Sequence, residues 1–391
     1  MDSGGRRPRP PDKLFRSRIW RKVSLRDERL GKLARVLVDY SIEAREGEQV
    51  VVFGEVGAEP LVKAIYARLL RVGAVPILQL QLPGMQELFF EHAQGVHYQS
   101  IPSIRRFVSE EADAEIGIKA PSNTRALANV DPAKQQALAE LNRPLSEIML
   151  AKNRWVLTLF PTAALAQEAS MGLAEYEDFA YSAMGLDEDD PVRYWQEKSR
   201  EQARLKERLE EARELRIVGP GTDVTLSVEG RTFVNSAGRR NMPCGEVFTG
   251  PIEDSASGHV YFGVPAAIGG REVAGVTLRF EDGKVVGSEA EKGGEYLESL
   301  LDTDAGARYL GEIGIGTNYN IGRASGNVLF DEKLGGTVHL AIGRSYKETG
   351  GRNDSSVHTD LVCDLRAGGE LYADGELIQK NGRFLDFDLG G

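Results

Sequence analysis

The chain has 391 residues, 41% hydrophobic and 27% charged, and a net charge of −11. That length exceeds one ordinary core and predicts two domains, and the acidic balance argues against non-specific nucleic-acid binding by the folded body. No apolar run reaches the roughly 20 residues of a membrane span, no secretory h-region opens the chain, and two cysteines, Cys244 and Cys363, are too few for a disulfide scaffold. The expectation is a soluble, cytoplasmic protein.

Residues 1–25 carry Arg6, Arg7, Arg9, Lys13, Arg16, Arg18, Arg21 and Lys22. This basic leader has little apolar surface to bury and predicts a disordered tail; a nucleic-acid arm or transit peptide is the competing reading. From residue 26 the pattern alternates. Arg29 to Ile42 has helical apolar spacing, and Val50 to Phe53 is a wholly apolar run of the kind that forms a buried parallel strand. Ala58–Val72 predicts a helix, Val75–Leu82 a strand and Met85–His92 a helix. Glu115–Lys119 and Trp155–Phe160 predict two further strands, and a long charged helix spans roughly Pro191–Arg216. This alternation implies an α/β N-terminal domain, residues 26–218, doubly wound on a mainly parallel sheet. Beyond Gly219 glycine becomes frequent, short strands such as Asp223–Val228, Val276–Phe280 and Thr337–Ile342 dominate, and Asp282-Gly283 marks a hairpin. Residues 219–391 therefore predict a β-rich α+β C-terminal domain.

Several chemistries lack their motifs. The chain has no phosphate loop, no dinucleotide fingerprint, no H-E-x-x-H helix and no G-x-S-x-G elbow. What it does have lies in the second half. His339 sits in the apolar run Thr337–Ile342, and His358 sits two residues before Asp360, so in an extended strand both project from one face. A lone strand histidine is usually a hydrogen-bonded core residue; two such strands close together, one carrying H-x-D, favour a ligand role. Glu246, in N-M-P-C-G-E-V-F-T-G-P, and Glu312, in G-E-I-G-I-G-T-N, stand in apolar, glycine-flanked surroundings. Burying a carboxylate there demands a cation, a proton or a donor. Three carboxylates and two neutral imidazoles overcrowd one divalent ion but balance two divalent metal ions with a bridging hydroxide, with Asp360 as the bridging carboxylate. Such a centre activates water and polarises a carbonyl. His92, His97 and His259 receive no role, and Cys244 is read as a small packed residue.

Together with H-L-A-I-G-R-S-Y and N-D-S-S-V-H-T-D, these motifs resemble, in order, those of the thermophilic metallo-aminopeptidase family of the aminopeptidase T and S type. The resemblance extends over about residues 27–390. It implies a metal-dependent aminopeptidase acting on peptide substrates, a homodimer, and a C-terminal domain holding two divalent ions of zinc, cobalt, manganese or magnesium. It places Glu246, Glu312, His339, His358 and Asp360 as metal ligands and Tyr346 as the group that steadies the tetrahedral intermediate, with Glu312 either ligand or general base. The chain departs from the family in a shorter stretch between Tyr346 and His358, in Thr359, and in the basic leader. A different two-metal amidase or carboxypeptidase and a non-catalytic metal-binding scaffold are the alternatives.

Overall fold

A computed structural model describes residues 27–387 and 389, so the basic leader lies outside the described residues. Four parallel strands, Gln49–Glu55, Val75–Gln81, Ala114–Lys119 and Trp155–Leu159, form the first sheet, with the Gln49 strand between the Val75 and Ala114 strands. Val50, Val51 and Val52 are all buried, which is why that run is apolar without alternation. The helix Glu59–Arg71 packs on the sheet through Leu61, Ile65 and Leu69, one heptad-like stripe at i, i+4 and i+8.

Two sheets build the second half. A nine-stranded antiparallel sheet ends at the short edge strand Ala266–Ile268. A five-stranded antiparallel sheet runs in the order His358–Asp364, Thr337–Gly343, Leu310–Gly316, Glu246–Thr249, Val234–Ser236. Val247, Ile313, Ile315, Val338, Leu340, Ile342, Leu361 and Cys363 turn one face of that sheet into the second hydrophobic core. The opposite face is left for polar side chains.

The two cores are interleaved along the chain. The helix Pro191–Glu210 gives Trp195 to the first and Leu205 and Leu209 to the second. Ala237, Met242 and Cys244 return to the first core, and the short strand Asn241–Met242 adds in parallel to the Trp155 strand. Ile321, Leu329, Phe330 and Leu334 do the same. The first sheet is thereby capped by chain that follows residue 218.

Three local expectations need correction. The charged helix stops at Glu210; Glu214–Gly219 is a strand paired with Thr222–Ser227 across a tight turn in which Gly221 has φ 70°. Helical spacing over Arg29–Ile42 becomes an α-helix, Glu28–Arg35, that widens into a π-helical segment, Val36–Ser41. The helix Pro132–Lys152 has no counterpart among the expectations: Leu138, Leu141, Leu145 and Ile148 keep helical spacing and are half-buried, but Pro144 in its interior reads as a helix break. Among the described residues no helix is long and apolar enough to cross a membrane.

Candidate metal centre

Antiparallel register brings the five sequence candidates onto one face of the five-stranded sheet. Glu246 lies opposite Gly316, His339 opposite Gly314, Glu312 opposite Ala341, Asp360 opposite Ala341, and His358 opposite Gly343. On one side each candidate ligand thus faces a glycine or alanine, while Val362 and Ser236 lie on the other side of His339 and Glu246. At Gly314 the space is fully used: a Cβ there would run into Cε1 and Nε2 of the His339 ring.

The polar atoms converge. His339 Nε2 lies 3.2 Å from Glu312 Oε1 and 3.7 Å from Glu246 Oε2. His358 Nε2 lies 3.6 Å from Glu312 Oε2 and 3.8 Å from Asp360 Oδ1. Ligand atoms about 2.0–2.1 Å from a tetrahedral ion are separated from one another by roughly 3.3–3.4 Å, so these spacings suit a divalent cation. Two overlapping groups result, Glu246–Glu312–His339 and Glu312–His358–Asp360, and the two oxygens of Glu312 serve one each. The second histidine is oriented from behind, its Nδ1 2.7 Å from the Arg344 carbonyl, the arrangement that fixes the tautomer of a ligating imidazole.

Sequence reasoning missed two members of the cluster. Glu332 forms a third group with His339 and Asp360. Lys333, fully buried, holds Glu246 Oε1 at 3.0 Å and is ion-paired with Glu332. Both follow the helical turn Val328–Asp331, whose Phe330 is anchored in the first core, so the centre lies where that core covers the polar face of the sheet. In sequence, Asp331-Glu332-Lys333 looks like an ordinary solvated charge run. Its one local clue is the apolar residues on either side, Leu329-Phe330 and Leu334.

The electrostatics ask for a cation. Burial raises the Glu246 carboxyl to about 7 despite Lys333, and raises Asp360 to about 6. Burial by itself would depress the His339 imidazole; its hydrogen bond to Glu312 and the charge of Glu246 outweigh that and raise it to about 9. With the imidazoles neutral, as ligation requires, Lys333 offsets one of the carboxylates Glu246, Glu312, Glu332 and Asp360 and leaves the others to be met. Uncompensated burial of such ions costs several kcal/mol each. Glu246 Oε2 and His339 Nδ1 are buried with no hydrogen-bond partner among the described residues. A divalent ion fits this donor set of carboxylate oxygen and imidazole nitrogen.

Tyr346 stands beside the cluster, its ring 5.2 Å from that of His358 and 5.7 Å from that of Phe248. Burial and the carboxylates around it push its hydroxyl far above the ordinary tyrosine range, so it is a proton donor throughout the physiological range. Against His358 and Asp360 lies a cavity of about 200 Å³, walled by apolar side chains including Val264, Ile268, Val328 and Val362.

A carboxylate–imidazole cluster on one sheet face, with a protonated phenol and an apolar cavity at its edge, defines a metal-dependent hydrolase. The chain belongs to the thermophilic metalloprotease (M29) family, whose model matches residues 26–384. It is 30% identical to Aminopeptidase 2 of Geobacillus stearothermophilus over 91% of this chain and 95% of that protein. It is 29% identical to Aminopeptidase T of Thermus thermophilus over 91% of this chain and 98% of that one. The solved structure of wild-type AmpT from Thermus thermophilus superposes with a TM-score of 0.79 at 25% identity, covering 92% of this chain and 99% of that chain.

Proposed function

We infer that this protein is a metal-dependent aminopeptidase that removes N-terminal residues from peptides, with a centre for two divalent ions. The observation that carries the reading is the pair of ligand groups joined by the Glu312 carboxylate. Glu246, Glu312 and His339 would hold one ion and Glu312, His358 and Asp360 the other, while Asp360, given the bridging place from sequence, also belongs with Glu332 and His339 to a third group. Glu332 lies within reach of both His339 and Asp360 and completes the acidic wall. The ions, when bound, supply an activated water at neutral pH and a Lewis acid for the substrate carbonyl.

The protein's own groups do the rest. Glu312, the carboxylate between the two imidazoles, would be the group to take up a proton from water at the centre. Lys333 engages one oxygen of Glu246 and leaves the other turned toward His339. Tyr346 donates its hydroxyl proton in a hydrogen bond to the developing oxyanion. The apolar cavity beside Asp360 receives the side chain of the residue to be released. Two buried free thiols, Cys244 and Cys363, support a reducing, cytoplasmic setting, and the family resemblance supports a homodimer.

Tyr346→Phe is expected to lower kcat by about 10²-fold, the order of one lost oxyanion donor, with metal content and KM little changed. Steady-state kinetics with elemental analysis checks this, and an unaltered kcat removes Tyr346 from the reaction.

The function itself is tested with leucine-p-nitroanilide and matched free-amine and N-acetylated peptides, before and after EDTA and with zinc, cobalt, manganese or magnesium restored. Activity that disappears with chelation, returns with metal and ignores acetylated peptides is the expected result. Hydrolysis of the acetylated peptides at equal rates points to an endopeptidase or another amidase; full activity after complete metal removal rejects the reading.

A further inference from the structure

The cavity beside His358 and Asp360 adjoins a larger cleft of about 710 Å³, and the two share Pro265, Ala266, Ala267 and Gly326 as walls. The cleft is lined on one side by residues 122–125 and 164–170 and on the other by the Ala266 edge strand and the turn 323–326. It contains two arginines and two glutamates. Arg125 is paired with Glu168, and Glu272 with Lys292 at 2.6 Å. Arg323 has no carboxylate partner among the described residues. Its Nη2 donates to the carbonyls of Ala169 at 2.6 Å and Ser170 at 3.2 Å, which fixes the guanidinium in place. Nε and Nη1 make no hydrogen bond among the described residues.

We propose that this cleft holds the part of a peptide substrate beyond the cleaved bond, and that Arg323 binds the free C-terminal carboxylate of short peptides. The proposal rests on the aminopeptidase reading and deepens it. Three observations converge on it. The cleft adjoins the cavity beside His358 and Asp360, with four residues walling both. Ala266–Ile268 is the last strand of its sheet and carries no strand on its outer side among the described residues. An extended peptide can therefore pair with its main chain, whose recognition is indifferent to side chains. Within the cleft Glu168 and Glu272 already have cations, and the one arginine without an acid donates to two carbonyls. With Nη2 given to the two carbonyls, the N–H groups of Nη1 remain to make a charge-assisted hydrogen bond to a carboxylate.

The test is kcat/KM for leucine-initiated peptides of increasing length, each as free acid and as C-terminal amide, with leucine-p-nitroanilide alongside. Wild-type protein is expected to prefer the acid about tenfold, mainly through KM, at the one or two lengths whose terminus reaches Arg323, and equally to lose that preference at greater length. In Arg323→Met the acid-to-amide ratio falls to near one, and Arg323→Lys restores part of it. Because the ratio is taken within each variant, a general loss of fold or activity does not imitate the result. If Arg323→Met yields no soluble protein, salt decides on the wild type: an acid preference that shrinks between low and high ionic strength supports the guanidinium, and one indifferent to salt overturns it. Equal rates for acid and amide at every length, with the anilide still cleaved, overturn the proposal and leave the aminopeptidase reading standing. Cleavage of none of these substrates by metal-loaded protein overturns both.

Discussion

Glu312→Gln is expected to reduce hydrolysis of leucine-p-nitroanilide on the order of 10⁴-fold, the upper range for removing a positioned general base, and to lower the metal content by at least one ion per chain. The substitution keeps the volume of a side chain that is only 5% exposed, so the fold should survive. What changes is chemistry. A carboxylate offers one oxygen to the His339 group and one to the His358 group; a carboxamide offers one weak oxygen and a nitrogen that cannot ligate. It also has no charge with which to take up a proton. Kinetics, elemental analysis and circular dichroism on the same preparation check all three statements. Activity within tenfold of wild type at full metal occupancy would remove Glu312 as both bridge and base.

Gly314→Ala should be nearly as damaging, at about 10³-fold in kcat/KM, although it replaces none of the candidate ligands. The added methyl meets Cε1 and Nε2 of His339. That ring is fully buried beside the Gly314 strand and is placed by its contacts with Glu312 and Glu246. Displacing a ligand by about 1 Å costs roughly 10²-fold by misplacement alone, and weakened metal binding adds to it. Overpacking costs the fold about 1–3 kcal/mol, a shift readable by thermal denaturation and small beside the catalytic loss. Gly95→Ala, where a Cβ meets nothing within 4 Å, is the matched control. A fully active Gly314→Ala protein with normal metal affinity would mean that His339 does not need its observed position.

The candidate cluster was legible in sequence to the extent that local context revealed it. His358 and Asp360 announce a shared face by their spacing alone, and Glu246 and Glu312 announce burial by the apolar and glycine residues around them. Glu332 and Lys333 do not, because a charged dipeptide looks the same whether solvated or enclosed. Their enclosure follows from Phe330 and Leu334 packing into the first core, a contact with partners more than a hundred residues away in the chain. The helix Pro132–Lys152 is hidden for another reason: Leu138, Leu141, Leu145 and Ile148 keep helical spacing, but Pro144 among them reads as a helix break. The charged helix was drawn too long because Glu211 to Arg216 has helix-compatible composition, and only pairing with Thr222–Ser227 makes its last part a strand.

By itself the sequence determined the parallel α/β alternation of the first half, the β-rich character of the second, and the residue types able to hold a divalent ion, since each depends on hydrophobic period and side-chain chemistry over a few neighbouring positions. Tertiary structure alone decided the register that sets Gly314 against His339 and Ala341 against Glu312 and Asp360, the sharing of Glu312 between two of the candidate ligand groups, the burial of Lys333 against Glu246, and the closeness of the candidate cluster's cavity to the cleft at Arg323. Those features are relations between strands and loops distant in the chain, and a one-residue slip in any of the pairings would turn the same side chains into the opposite face.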